Sequence, residues 1–162
     1  MPQPDPYLAA DDNARSMAAR LLQSARHAAL AVTDAASQTP NISRIGLSCL
    51  PDGPIFSLMS TLSAHTTSLL SHSACALMVG EPGPKGDPLT HPRLMMQAHA
   101  TALDRTDSRV AELRAHWLHL QPKAKLYIDF ADFRFVVMTP FAAVLNAGFG
   151  RAYRLQPADL RP

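Results

Sequence analysis

Charge of either sign is scarce in this sequence. Asp, Glu, Lys and Arg make up 17% of its 162 residues, and 15 basic against 13 acidic side chains leave a formal net charge of +2. So even a balance gives nucleic acid no electrostatic footing as the main partner. With 47% hydrophobic residues the chain is also not of disordered composition. A globular chain with so little charge points to surface covered twice, once on folding and once by a second copy. Cysteine is nearly absent. Cys49 and Cys75 sit in apolar stretches without CxxC spacing and read as buried free thiols of a reducing compartment. No apolar run approaches the roughly 20 residues of a membrane helix. Residues 1–15 have neither the basic start nor the apolar stretch of a secretory leader, so a cytoplasmic location is expected. Three nucleotide or hydrolase signatures are missing as well: GxGxxG, GxxxxGK[ST] and GxSxG. The one glycine-rich stretch, GEPGPKGDP, contains prolines that remove the N–H donors a phosphate loop uses.

What is present reads as one domain over 1–162, opened by a loose arm at 1–7 that holds three prolines. A helix is expected from about Leu8 to Ala25, with Met17, Leu21 and Leu22 at helical spacing. His27–Thr33 reads as a short buried strand. Residues 42–50 alternate, with Ile45, Leu47 and Cys49 on one side and Arg44, Gly46 and Ser48 on the other. The turn Pro51-Asp52-Gly53-Pro54 should join them in a hairpin to a second strand, 55–60. Ala74–Val79 and 93–103 read as further strands, the latter with Leu94, Met96 and Ala98 on one face and Arg93, Met95, Gln97 and His99 on the other. Residues 107–120 form a helix striped by Val110, Leu113, Trp117 and Leu120. Two closing strands, 133–139 and 142–146, split at Pro140. AGFGRA, 147–152, is a glycine turn that leaves Phe149 and Arg151 either idle or facing a ligand. Helix, strands, helix, strands, with hairpin-length links, argues for an antiparallel barrel with peripheral helices.

The segment STLSAHTTSLLSH, 60–72, should open a helix near Ala64. Ser60, Thr61, Ser63, Thr66, Thr67, Ser68 and Ser71 are poor choices for helix propensity, because hydroxyls compete with the backbone. A helix start ringed by hydroxyl donors can seat a phosphate, with Arg44 supplying charge; it can equally be an ordinary cap packed against other elements. His116 and His119 share a helix face but lack a third ligand for a metal. Asp129 and Asp132, within YIDFADFRF, read as turn-fixing carboxylates rather than an acid–base pair.

Together, the stretches SRIGLSCLPDGPIFSLMSTLSAHTTSLLSHSACALMV, GDPLTHPRLMMQAHA, DRTDSRVAELRAHWLHLQP and YIDFADFRFVVMTPFAAVLNAGFGRA resemble the pyridoxamine 5′-phosphate oxidase-like FMN-binding split barrels, in the heme-utilisation branch. The resemblance covers about residues 15–155. It implies a mainly β fold, a six-stranded antiparallel split β-barrel in a homodimer, with FMN at the interface between subunits. The FMN-binding residues it implies are Arg44, Ser60, Thr61, Leu62, His65, Thr66, Thr67 and Ser68. Arg93 and Gln97 lie on a neighbouring strand, and Phe149 and Arg151 reach in from the partner's glycine turn. The activity it implies is an oxidoreductase that passes electrons between a small-molecule donor, FMN and an acceptor. Relatives commonly carry Arg-Asn or Arg-Lys where Thr67 and Ser68 stand, so a bidentate cationic clamp is missing. Two other readings fit the same resemblance. One is heme binding or heme utilisation, with His65 or His91 on the iron, though relatives with a further C-terminal domain use it toward heme and this sequence stops at Pro162. The other is a barrel that has lost its cofactor and only binds ligands.

Overall fold

The computed structural model describes residues 5–160; residues 1–4 of the expected arm lie outside the described residues. Asp5, Pro6 and Tyr7 are exposed and outside any helix or strand. They are held down all the same, because Arg154 stacks 5.1 Å over the Tyr7 ring and pairs with Asp5 at 3.2 Å. The elements that follow are β1 (Leu8–Ala9), α1 (Asp12–Ser24), β2 (His27–Thr33), β3 (Pro40–Gly46), β4 (Ser48–Cys49) and β5 (Ile55–Ser60). Then come α2 (Ala64–Ser71), β6 (Ala74–Val79), β7 (Arg93–Ala102), α3 (Val110–Leu120), β8 (Phe133–Asn146) and β9 (Ala152–Leu155). Among the described residues no helix is long and apolar enough to cross a membrane.

The nine strands form one sheet in the order β1-β9-β8-β7-β6-β2-β3, with β5 on the free edge of β8 and β4 beside β5. All pairings are antiparallel except β1 with β9. This is the mainly β, helix-flanked split barrel expected, built from nine strands rather than six. Its inner face is a set of aligned apolar rows. Leu30, Leu77, Met96, Ala143 and Leu155 stand opposite one another in successive strands, and all are buried. Directly opposed residues share a face, so this one row threads five strands through the core. The Ser57 hydroxyl, wholly buried, donates to the Gly46 carbonyl at 2.6 Å and bridges β5 to β3 where no ladder joins them.

The β5–β8 pair is buried on both sides. Ile55, Met59, Val136 and Met138 face the barrel core, whereas Phe56, Leu58, Phe135 and Val137 face a second core with Leu113 and Trp117 of α3. That accounts for the run IFSLM, apolar on both faces except at Ser57, which alternation alone could not assign.

Four expectations need correction. Helix α1 begins at Asp12, because the Asp11 carboxylate caps it by accepting from the Ala14 N–H at 2.7 Å; Leu8–Ala9 instead pairs with β9. The strand expected over 42–50 changes partner midway. Its first part pairs with β2, the Leu47 N–H turns to the Arg26 carbonyl at 3.0 Å, and only Ser48–Cys49 pairs with β5, so the hairpin is two residues deep. The helix expected from 107 starts at Val110, since Asp107 is taken up bidentately by Arg109. Finally, 133–146 is one strand. A bulge at Phe141, opposite the Gln97/Ala98 step, absorbs Pro140, which has no N–H to give the ladder.

Gly46 sits at the point where the chain leaves β3. A Cβ there would stand 2.9 Å from Trp117 Cη2 and 3.0 Å from Cζ2, and Trp117 is fixed in the second core. Gly46→Ala should therefore cost about 1–3 kcal/mol of stability. A urea-unfolding midpoint equal to that of the parent protein would contradict this packing.

Candidate functional site

The hydroxyls of 60–71 are mostly spent inside the protein. The Ser60 Oγ donates to Asp132 Oδ2 at 2.5 Å and accepts from the Leu62 N–H at 3.2 Å. The same acid's main-chain oxygen accepts from the Thr61 N–H at 2.8 Å. Thr67 Oγ1 bonds back to the Ser63 carbonyl at 3.3 Å, as helical threonines do. Ser68, buried, accepts from the Ala35 N–H at 3.3 Å and ties α2 to the loop after β2. Thr66 is buried and its hydroxyl has no partner. Ser63 stands at the helix start, yet its side chain makes no capping bond. Leu62 is exposed to solvent.

His65 is different. It is half-buried in the first turn of α2, it has no hydrogen-bond partner among the described residues, and burial pushes its pKa below the ordinary histidine value. A neutral imidazole with free nitrogens is a competent metal ligand. His91 is not free in that sense. Its Nδ1 accepts from the Gly83 N–H at 3.1 Å and its Nε2 faces the Lys85 carbonyl at 2.9 Å, so the ring clasps the 80–92 loop with the proton on Nε2. His116 Nε2 lies 3.1 Å from Ser48 Oγ, packed edge-on against Phe56. Burial, then the charges of His119 and Arg26, lower its pKa. Among the described residues no group of three or more His, Cys, Asp or Glu is placed to share a metal. Cys75 is a buried free thiol that burial pushes up to about 11, and half-buried Cys49 is raised by the same cause. Asp129 is pulled down by the Arg114 guanidinium that grips it.

The remaining expected residues fall in two other places. Ser60 pairs with Phe133 at one end of β8, and Arg93 pairs with Asn146 at the other. At about 3.3 Å per residue these ends are roughly 40 Å apart along the strand. Arg93, whose Nη1 donates to the Leu89 carbonyl at 2.9 Å, therefore belongs with the glycine turn. There Gly148 and Gly150 have φ of 116° and 69°, Phe149 is 93% exposed, and Arg151 Nη2 donates to the Ala147 carbonyl at 3.2 Å.

Arg44 and Gln97 lie between, on the outer face of the sheet. Arg44, Ala29, Met78, Met95, Val144 and Arg154 form one row across six strands. Ile42, Ala31, Ala76, Gln97 and Ala142 form the next. Ile42, Met78, Met95 and Phe141 are 71%, 44%, 36% and 46% exposed, which makes this face an apolar patch of the kind that marks an interface. The sequence pattern separates Arg44 from Ile45 and Gln97 from Met96, but the patch only appears once the rows are aligned. The Ser60–Asp132 bond joins residues 72 positions apart and has no local signal.

His65 and His116 set a pH dependence of stability. Both folded pKa values lie below the unfolded one, near 6.5. The unfolded chain thus binds protons first, so stability is intact above the unfolded pKa and declines as pH falls through the folded values. Unfolding free energy should drop between pH 7 and 5, and His65→Gln should flatten part of that drop. An identical profile in the variant would mean that His65 is not desolvated.

No protein-family model matches the sequence. Among curated proteins, the non-canonical heme oxygenase HOZ, chloroplastic, of Arabidopsis thaliana is 28% identical over 114 residues, which is 70% of this chain. The chain spans about a third (34%) of that relative's length. One solved chain is 36% identical, with a TM-score of 0.83 over 96% of this chain and the whole of the other. A heme binding protein from Mycobacterium smegmatis superposes with a TM-score of 0.82 at 22% identity, over 94% of this chain and 62% of its own. A putative pyridoxamine 5′-phosphate oxidase from Listeria innocua gives 0.62 at 12% identity, over 83% of this chain and 98% of its own.

Proposed function

Because the chain belongs to the pyridoxamine 5′-phosphate oxidase-like FMN-binding split-barrel family, in its heme-utilisation branch, we propose that it is a cytoplasmic homodimer that binds heme and serves its utilisation. The observation that carries this reading is half-buried His65 in the first turn of α2, whose ring has no hydrogen-bond partner among the described residues, while Ser60, Thr67 and Ser68 bond within the chain. His65 would hold the iron. Arg44, and Arg93 only from a second copy, would meet the carboxylates of the porphyrin edge, and Ile42, Met78 and Met95 would face an apolar surface, either the second copy's or the ligand's. The iron, when bound, supplies the redox chemistry, and the chain supplies position and exclusion of water. The names of the Arabidopsis and Mycobacterium relatives support the same ligand.

FMN fits this chain less well. A phosphate dianion at the start of α2 would find Ser60 already donating to Asp132, whose own negative charge repels it, and Thr67 and Ser68 where a cationic clamp would stand. What supports the flavin oxidoreductase reading is the family itself, together with the unpartnered Thr66 hydroxyl.

Absorption titrations separate the two. Heme added to purified protein should give a saturable Soret band. His65→Ala should shift that band and weaken binding at least about tenfold, because the residue that would hold the iron is lost, while His91→Ala should leave it unchanged. A protein that retains FMN through gel filtration and ignores heme would reverse the order of the two readings. For the dimer, Ile42→Glu places a charge in the apolar patch and should yield monomers in sedimentation velocity. Sedimentation equal to the parent's would place the interface elsewhere.

A further inference from the structure

An open cavity is bordered by α3, the loop after β7, Leu58 of β5 and the start of β8. It measures about 180 Å³. That is smaller than a drug-sized ligand needs. Its floor is apolar: Leu58, Leu103, Ile128 and Phe135 belong to the second core. Its lining also carries Arg105, Arg114 and Arg134 against a single carboxylate, Asp129.

The bonds these groups make show what is spent and what is spare. Asp129 fills the fork of Arg114, with Nε to Oδ1 at 3.0 Å and Nη2 to Oδ2 at 2.6 Å. Arg105 uses one nitrogen, Nη2, on the Asp129 main-chain oxygen at 2.8 Å. Arg134 uses Nη1 on the carbonyls of Ala131 and Phe133, at 3.0 and 3.3 Å. The other nitrogens of Arg105 and Arg134 have no protein acceptor among the described residues. Two cationic charges are therefore left over beside an apolar floor, in a chain whose whole net charge is only +2. Guanidinium groups pair best with planar, bidentate carboxylates, and Arg114 already does so at this rim. The floor adds a demand for flat apolar surface.

We propose that this cavity binds a small carboxylate with a flat apolar body, its carboxylate held by Arg105 and Arg134 and its body laid on Leu58, Ile128 and Phe135.

Benzoate is the probe, titrated into the full chain and followed by chemical-shift perturbation, with benzyl alcohol and acetate as controls. Benzoate should bind saturably, and each control at least about tenfold more weakly, since one lacks the charge and the other the body. Arg105→Gln and Arg134→Gln should each weaken benzoate about tenfold while leaving the melting curve and the heme titration as in the parent. Arg105→Lys, which keeps the charge and loses the fork, should fall between them, and it serves as the test should a Gln variant fail to fold. Benzoate binding no tighter than benzyl alcohol would overturn the proposal. So would unchanged benzoate affinity in folded Arg105 and Arg134 variants.

Discussion

The fourteen residues of β8 carry ladder hydrogen bonds on both edges, and the rest of the molecule is arranged around that fact. One edge pairs with β7 along nearly the whole strand; the other is divided, with β5 taking the first part and β9 the second. Where the two partners part, Pro140 could not donate to either. The bulge at Phe141 turns this defect into a bend, and it pushes the Phe141 ring against His99, 5.0 Å away. The division also makes two cores. Side chains of β5 and β8 on one face close the barrel, and those on the other face seat α3.

The same strand sets the distance between candidate binding groups. Ser60, Thr61 and His65 gather near Phe133, whereas Arg93, Phe149 and Arg151 gather near Asn146. A ligand that touches both groups must therefore lie between two chains, each giving one end of β8. The exposed rows of the outer face fit that requirement. They hold small residues at Ala29, Ala31, Ala76 and Ala142 between Ile42, Met78 and Met95, a flat profile on which a second sheet can rest.

How much of this was legible depends on whether the controlling interaction is local. The bounds expected for His27–Thr33 and Ala74–Val79 are the observed ones, because a short apolar run between polar or turn residues is a property of the segment itself. The two faces of β7 came out for the same reason. The changes of partner did not. Nothing within residues 42–50 says that Leu47 will bond to Arg26, and nothing at Leu8–Ala9 announces a pairing with Tyr153 and Arg154. The site divides along the same line. Alternation alone puts Arg44 and Gln97 on the face opposite Ile45 and Met96, while the spending of Ser60 on Asp132 depends on β5 and β8 coming together.

The surroundings of α2 explain why it is so rich in hydroxyls. The helix is only eight residues long and sits between the loop after β2 and the barrel, with Thr66, Ser68 and Leu69 buried. A short helix gains little from propensity and depends on its tertiary contacts. Lysine or glutamate at 66 or 68 would have to bury a charge, at several kcal/mol. Serine and threonine are small enough to be buried and can bond to the nearest backbone, as Ser68 does with Ala35 and Thr67 with Ser63. Only Thr66 is left unpartnered, at a cost of about 1–3 kcal/mol. The hydroxyl composition is thus accounted for by packing before any ligand is considered, and it is His65, which packing does not explain, that stands out from it.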